Sequence, residues 1–228
     1  MHKEILSEYQ KNFPYYDKVS DEWNKEKYYG SLKGEPNYEE LHQLVSSTFR
    51  HARRRQNIFP IVDRQPDMTL RCVYSGKILS DAEGNMLEKC DEEHSFPQSY
   101  QRGTRSGTGR DMHAIFAAFK SANGSRGNIP FGIYSEEQKP LEKDAYGTVF
   151  SGKPKTYIPK MNSGAVARST LYILLCYKGC ANPHYLPPQT LPWLIQEASS
   201  TEVSLWEKHR NQELYRLQGN RNPFIDYP

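Results

Sequence analysis

Asp91-Glu92-Glu93-His94-Ser95-Phe96-Pro97, answered 29 residues after His94 by Asn123 in Ser121-Ala122-Asn123-Gly124-Ser125-Arg126, is the stretch from which this 228-residue chain is read. Glu93 and Asn123 offer a carboxylate and an amide oxygen, donors suited to a hard divalent cation. Between them in chemistry stands His94, whose ring, with an ordinary pKa of about 6.5, takes a proton from water near neutrality. Arginines follow closely and can grip phosphate oxygens in a bidentate fork. Together these are the parts needed to cut a phosphodiester.

Charge is arranged around the same stretch. From Asp81 to Glu93 six acidic residues face one lysine; from Gln98 to Arg126 five basic residues face Asp111 alone. An acidic pole running into a basic one suits a metal site beside a phosphate-binding surface. Two solvated loops of opposite sign would give the same count, so charge alone leaves both readings open.

The bulk numbers bound the class. With 36% hydrophobic and 25% charged residues and a net charge of +3, the chain can build a sizeable core as one unit. No apolar run approaches the roughly 20 residues that span a bilayer, so no membrane partner is expected. Cys72, Cys90, Cys176 and Cys180 lack a paired zinc-binding spacing. They permit two disulfides without requiring them, and Cys176 and Cys180 are either facing neighbours or buried thiols. The start, Met1-His2-Lys3-Glu4, carries no apolar leader.

Working outward, residues 1–35 read as an irregular wrap with one short helix. Asn37 stands three before Glu40 in capping-box spacing, and Leu41, Leu44, Val45 and Phe49 follow at helical intervals, predicting a helix from Tyr38 to Arg53. Its basic tail, Arg50 to Arg55, would match the helix dipole. Leu70 to Tyr74 has strand character, and Asp81 to Glu88 reads as a loop. Residues 101–110 hold three glycines and no apolar side chain, an exposed loop. Met112 to Phe119 is apolar enough for a buried strand, with a short helix carrying Asn123 after it. Ser135 to Pro159 reads as a polar surface excursion. Gly164 to Tyr177 is a buried helix with Gly179 as its C-cap. Trp193 to Glu197 and Glu202 to Gln218 are further helices, and residues 219–228 form an extended tail with aromatic anchors.

Four ordered blocks carry a family resemblance. They are Tyr74-Ser75-Gly76; Glu93-His94 with Pro97 and Ser99; Asp111-Met112-His113 with Asn123, Arg126 and Asn128-Ile129-Pro130-Phe131; and Gly164-Ala165-Val166-Ala167-Arg168 with Tyr172, Trp206-Glu207, Arg210-Asn211 and residues 218–226. Over roughly residues 38–228 the chain resembles the endonuclease I family, secreted or periplasmic nucleases of the His-Me finger (ββα-metal) class. The resemblance implies an α+β fold: a ββα-metal core over 72–130, helices around it, and a helix-rich second half over 160–228. It implies one nuclease domain spanning 1–228, acting as a monomer.

What the resemblance implies for the site is specific. Glu93 and Asn123 would bind one Mg²⁺, with Mn²⁺ or Ca²⁺ as substitutes. His94 would activate water, leaving a 5′-phosphate. The arginine at the phosphate is Arg105 or Arg110 by this reading, with Arg102 and Arg126 as further phosphate contacts. His113, Glu207, Arg221 and Asp226 are expected in packing and ion pairs. The expected partner is DNA, with RNA as a second substrate, gripped through its backbone without sequence readout. Two rival readings stand beside it: a non-catalytic nucleic-acid-binding module on the same fold, and a phosphoesterase acting on small nucleotides.

Overall fold

The computed structural model describes residues 15–50, 58–81, 86–100, 108–180, 186–187 and 189–228. These residues form a mixed α and β fold with two small antiparallel sheets. In order come α1 (Lys18–Tyr29), α2 (Tyr38–Thr48) and α3 (Phe59–Val62), then β1 (Cys90–His94). Short 3-10 turns at Gln98–Tyr100, Thr108–Arg110 and Met112–Ala114 lead to β2 (Ile115–Phe119), which passes directly into α4 (Lys120–Arg126). A meander follows: β3 (Pro140–Lys143), β4 (Gly147–Phe150) and β5 (Thr156–Pro159). The chain closes with α5 (Ser163–Cys176), α6 (Thr190–Ser200), α7 (Leu205–Gln218) and α8 (Pro223–Asp226). No helix among the described residues is long and apolar enough to cross a membrane.

Helix α5 is the centre of the core. Nearly all of its side chains are buried, from Gly164 to Cys176, so it is apolar on every side rather than along one stripe. It packs against α6, α2, α8 and the Met112–Ala114 turn. The main apolar cluster continues through Leu70, Tyr74, Phe96, Ile115, Phe131, Tyr157, Trp206 and Leu214.

The β1–β2 ribbon is only two strands wide, with Glu93 opposite Phe116 and His94 opposite Ile115. Each outer edge would leave backbone groups unpaired, and each is covered differently. On β2, Asp63 accepts from Ala117 N at 2.9 Å, Val73 N donates to Ala117 O at 3.1 Å, and Arg210 donates to Ile115 O. On β1, side chains of α4 reach alternate carbonyls: Asn123 Nδ2 bonds Glu92 O at 3.2 Å and Arg126 Nη1 bonds His94 O at 2.9 Å. Residues three apart on a helix share a face. That spacing therefore lays α4 along the free edge of β1 and fixes Asn123 against Glu92 O.

Several expectations are corrected. Leu70 to Tyr74 is not a strand, because the edge of β2 it approaches is already served by Asp63 and Arg210; it makes isolated bridges, Arg64 with Leu70 and Arg71 with Ile78. The second strand begins at Ile115, since Met112–Ala114 is wound into a turn capped by Asp111. Ser135 to Pro159 holds a three-stranded sheet rather than a featureless excursion. Helix α2 stops at Thr48 because Phe49 is extended and Arg50 N bonds Gln218 O at 2.7 Å. Its last turn holds no basic residue, so the dipole match fails; residues 51–55 lie outside the described residues. The first segment contains a twelve-residue helix, α1, capped by Asp17. Helix α6 extends beyond 193–197 at both ends, and residues 223–226 of the tail are helical. Of the loop read over Asp81 to Glu88, residues 82–85 lie outside the described residues. All four cysteines are free thiols.

Candidate active site

Alternation along β1 separates its side chains. Cys90, Glu92 and His94 take one face; Asp91 and Glu93 take the other. Glu93 is fully buried, an expensive place for a carboxylate unless cations or donors compensate it. Its Oε1 accepts from the Tyr74 hydroxyl at 2.5 Å and from Arg126 Nη1 at 2.9 Å. Its Oε2 is buried and makes no hydrogen bond among the described residues. Burial pushes the Glu93 carboxyl above its ordinary pKa, with Arg126 and Tyr74 pulling it back.

Asn123 sits half-buried in α4. Its Nδ2 donates to Glu92 O and, at 3.4 Å, to Asp91 Oδ2. Both bonds spend the amide nitrogen, and the amide oxygen has no hydrogen bond among the described residues. A buried carboxylate oxygen without a donor and an amide oxygen on the adjoining helix make an all-oxygen donor pair. That chemistry fits Mg²⁺, Mn²⁺ or Ca²⁺ with water completing the shell. Among the described residues no group of three or more His, Cys, Asp or Glu is placed to hold a metal. The donor set is carboxylate and amide.

His94 is half-buried, at the last position of β1. Its Nε2 lies 3.1 Å from Gln98 Nε2. An amide nitrogen only donates, so with Gln98 oriented this way the imidazole nitrogen accepts. A ring nitrogen that accepts carries no proton, as a base's must not.

The arginines divide. Arg126, expected at a phosphate, is buried and its guanidinium is spent: Nε on Ile129 O at 3.0 Å, Nη1 on Glu93 and His94 O, Nη2 on Ser95 O at 3.0 Å. Its planar head also lies 4.4 Å from the Phe131 ring. Arg126 therefore positions Glu93 and the end of β1 and has no face left for a phosphate. Arg110 is exposed on the Thr108–Arg110 turn. A Cβ at its neighbour Gly109 would stand 3.4 Å from Gln98 Nε2, the atom that reaches His94. The structure thus brings this turn beside the histidine. Arg102 and Arg105 lie outside the described residues.

His113 is not part of this constellation. It is buried against Tyr172 with Nε2 3.2 Å from Asn220 O, and burial lowers its pKa. Asp111 is buried too, accepting from Tyr172 at 2.5 Å, Tyr177 at 3.0 Å and Gln218 at 3.0 Å. Glu207 pairs with Arg168 and Asp226 with Arg221, as expected of packing ions. Three contributors escaped the sequence reading: Tyr74, Gln98 and the carboxylate-clamping role of Arg126. The last has a signal after the fact, because Asn123 and Arg126 are three apart in the helix that covers β1.

The family model described as Endonuclease I matches residues 25–228. An extracellular ribonuclease of Bacillus amyloliquefaciens is 29% identical over 159 residues, covering 64% of this chain and 53% of the relative. An extracellular deoxyribonuclease of Aeromonas hydrophila is 28% identical over 142 residues, covering 57% and 58%. A periplasmic deoxyribonuclease of the same organism is 26% identical over 163 residues, covering 63% and 66%. The chain spans about half the length of the ribonuclease relatives it matches.

Proposed function

Because the chain belongs to the endonuclease I family, we propose that it is a metal-dependent endonuclease hydrolysing phosphodiester bonds in DNA, and in RNA as well, without sequence preference. The observation that carries the reading is the Glu93 Oε2 left without a donor, on the strand whose edge Asn123 covers and next in sequence to His94 at the strand end. In this reading β1, β2 and α4 form a ββα-metal finger.

Glu93 and Asn123 would hold the cation, with Tyr74 and Arg126 keeping the Glu93 carboxylate aimed. When bound, the ion supplies Lewis-acid stabilisation of charge on the phosphoryl group and the departing 3′ oxygen. His94 receives the proton of the attacking water through Nε2 once Gln98 yields that position, a general-base step worth about 10²–10⁴-fold. Arg110 and Arg105 would stabilise the developing charge on the phosphate, with Arg102 as a further phosphate contact. The product keeps a 5′-phosphate. Opposite facing of Glu93 and His94 lets ligand and base address one phosphate from different sides, as in-line attack needs.

The same reading treats residues 1–228 as one nuclease unit, working as a monomer outside the cytoplasm, where its extracellular and periplasmic relatives act. Plasmid nicking and RNA degradation, each with Mg²⁺, with chelator and with His94→Ala, test the reading. Expected are Mg²⁺-dependent cleavage and a loss of about 10²–10⁴-fold in the alanine variant. Undiminished cleavage by His94→Ala removes the proposed base. Duplex binding without any cleavage favours the non-catalytic module.

A further inference from the structure

A concavity opens at the other end of the β1–β2 ribbon from His94. It is an open pocket of about 610 Å³, and Lys77, Lys89 and Lys120 line it with a single carboxylate, Glu88. All three lysines are exposed, and none is in an ion pair among the described residues. Like charges gathered without partners repel, and the repulsion is relieved when a polyanion arrives. Phe119 and Tyr146 form the apolar part of the wall, their rings 6.5 Å apart and tilted at 45°. The Tyr146 ring is held in place, its hydroxyl 2.6 Å from Ser121 Oγ. Lys120 N donates to Lys89 O at 2.8 Å, which ties two of the lysine backbones together at the mouth.

Position relates this pocket to the candidate site. Lys89 stands five residues before His94, about 16 Å at roughly 3.3 Å per strand residue. Ser121 stands two residues before Asn123 on the same short helix. A nucleic-acid strand advancing about 3.4 Å per nucleotide would run from one place to the other in about five nucleotides or fewer. Basic side chains beside an aromatic ring are the usual elements of a surface that tracks a strand and stacks its bases.

We propose that this pocket is a backbone-binding subsite for the substrate strand, in which Lys77, Lys89 and Lys120 hold phosphates about two to five nucleotides from the cut while a base rests on Tyr146. Its link to cleavage rests on the nuclease reading; its binding role does not. The subsite gives the protein a length requirement, because a strand too short to reach it loses those contacts.

The test is a binding titration with chelator present, using fluorescently labelled oligonucleotides of about 4 and about 12 nucleotides, as DNA and as RNA. The variant carries Lys77→Ala, Lys89→Ala and Lys120→Ala together, all at exposed positions. Affinity for the longer strand should fall about tenfold or more, and the slope of log affinity against log salt should flatten by about 2. The shorter strand, which cannot engage all three lysines together with the candidate site, should lose clearly less. Lys→Arg at the same three positions should retain binding, and Tyr146→Ala should weaken the longer strand alone. Equal losses for both lengths, or none for either, overturn the subsite. Matched DNA and RNA strands report which sugar the pocket accepts. A chain that binds in this pattern yet cleaves nothing would retire the nuclease reading and leave the subsite standing.

Discussion

Tyr74 is the residue on which the carboxylate geometry turns. It is fully buried, and burial beside Glu93 drives its pKa well above the ordinary phenol, so the hydroxyl remains a donor at any working pH. Tyr74→Phe removes that donor while keeping the ring that packs on Phe131 and Tyr157. Glu93 would then rely on Arg126 alone for its orientation. The expected result is a rise of about 10–100-fold in the Mg²⁺ concentration for half-maximal cleavage, with the rate at saturating Mg²⁺ largely kept. A purely structural tyrosine would lower the melting temperature and leave the metal titration in place. Glu93, His94 and Asn123 could be proposed from sequence because their chemistry is written in their types and order. The role of Arg126 was not, since an arginine near a phosphate site reads as an exposed cation until burial is known.

Elements show where local sequence signals lose to packing. The turn after Tyr74 is made by Gly76 at φ +68, with Gly76 N donating to Cys72 O at 2.8 Å. A Cβ there would stand 2.5 Å from Met161 Sδ, and Met161 N in turn bonds Tyr74 O at 3.0 Å. Gly76→Ala should therefore cost about 1–2 kcal/mol from backbone strain alone, more if Met161 cannot move. Chemical denaturation reads the stability loss, and the Mg²⁺ titration should shift with it as Tyr74 is displaced. The helices α5 and α7 were readable from periodicity, but their ends were not: α5 is capped at Tyr177 rather than Gly179, and a capping box of Ser204 with Glu207 starts α7 at Leu205 rather than Glu202. The β3–β5 meander was not, because Pro140–Lys143 is exposed at every position and carries no alternation. Only pairing with β4 makes it a strand.

At the scale of the whole molecule, buried ions tie the chain ends to the core. Arg221 bonds Asp226 through Nε and Nη2, both at 2.7 Å, and reaches Asp21 of α1 at 2.7 Å. Arg221→Ala would strand two buried carboxylates, a loss of about 3–5 kcal/mol. The expected outcome is a markedly lower melting temperature with cleavage retained at low temperature, because Arg221 joins the ends rather than the site. Acid acts on the same core. His209 is buried, with Nε2 2.8 Å from Ile61 O, and burial lowers its pKa to about 4. The unfolded chain, with a pKa of about 6.5, binds more protons in that window. Stability is thus full above about pH 6.5 and falls toward pH 4, by up to about 3 kcal/mol. Melting temperature against pH should show this decline, and His209→Gln should flatten it.

Sequence alone determined which groups the proposed chemistry draws on, a carboxylate, an imidazole and an amide in fixed order, and the helices whose periodicity needs no distant partner. Tertiary structure decided orientation and environment. It turned Arg126 inward onto Glu93, left one carboxylate oxygen without a donor, and laid α4 along the edge of β1. It also gathered three lysines from separate segments around one pocket. The physical reason is range: residue type and spacing are local, whereas burial and hydrogen-bond satisfaction depend on groups that meet only once the chain has folded.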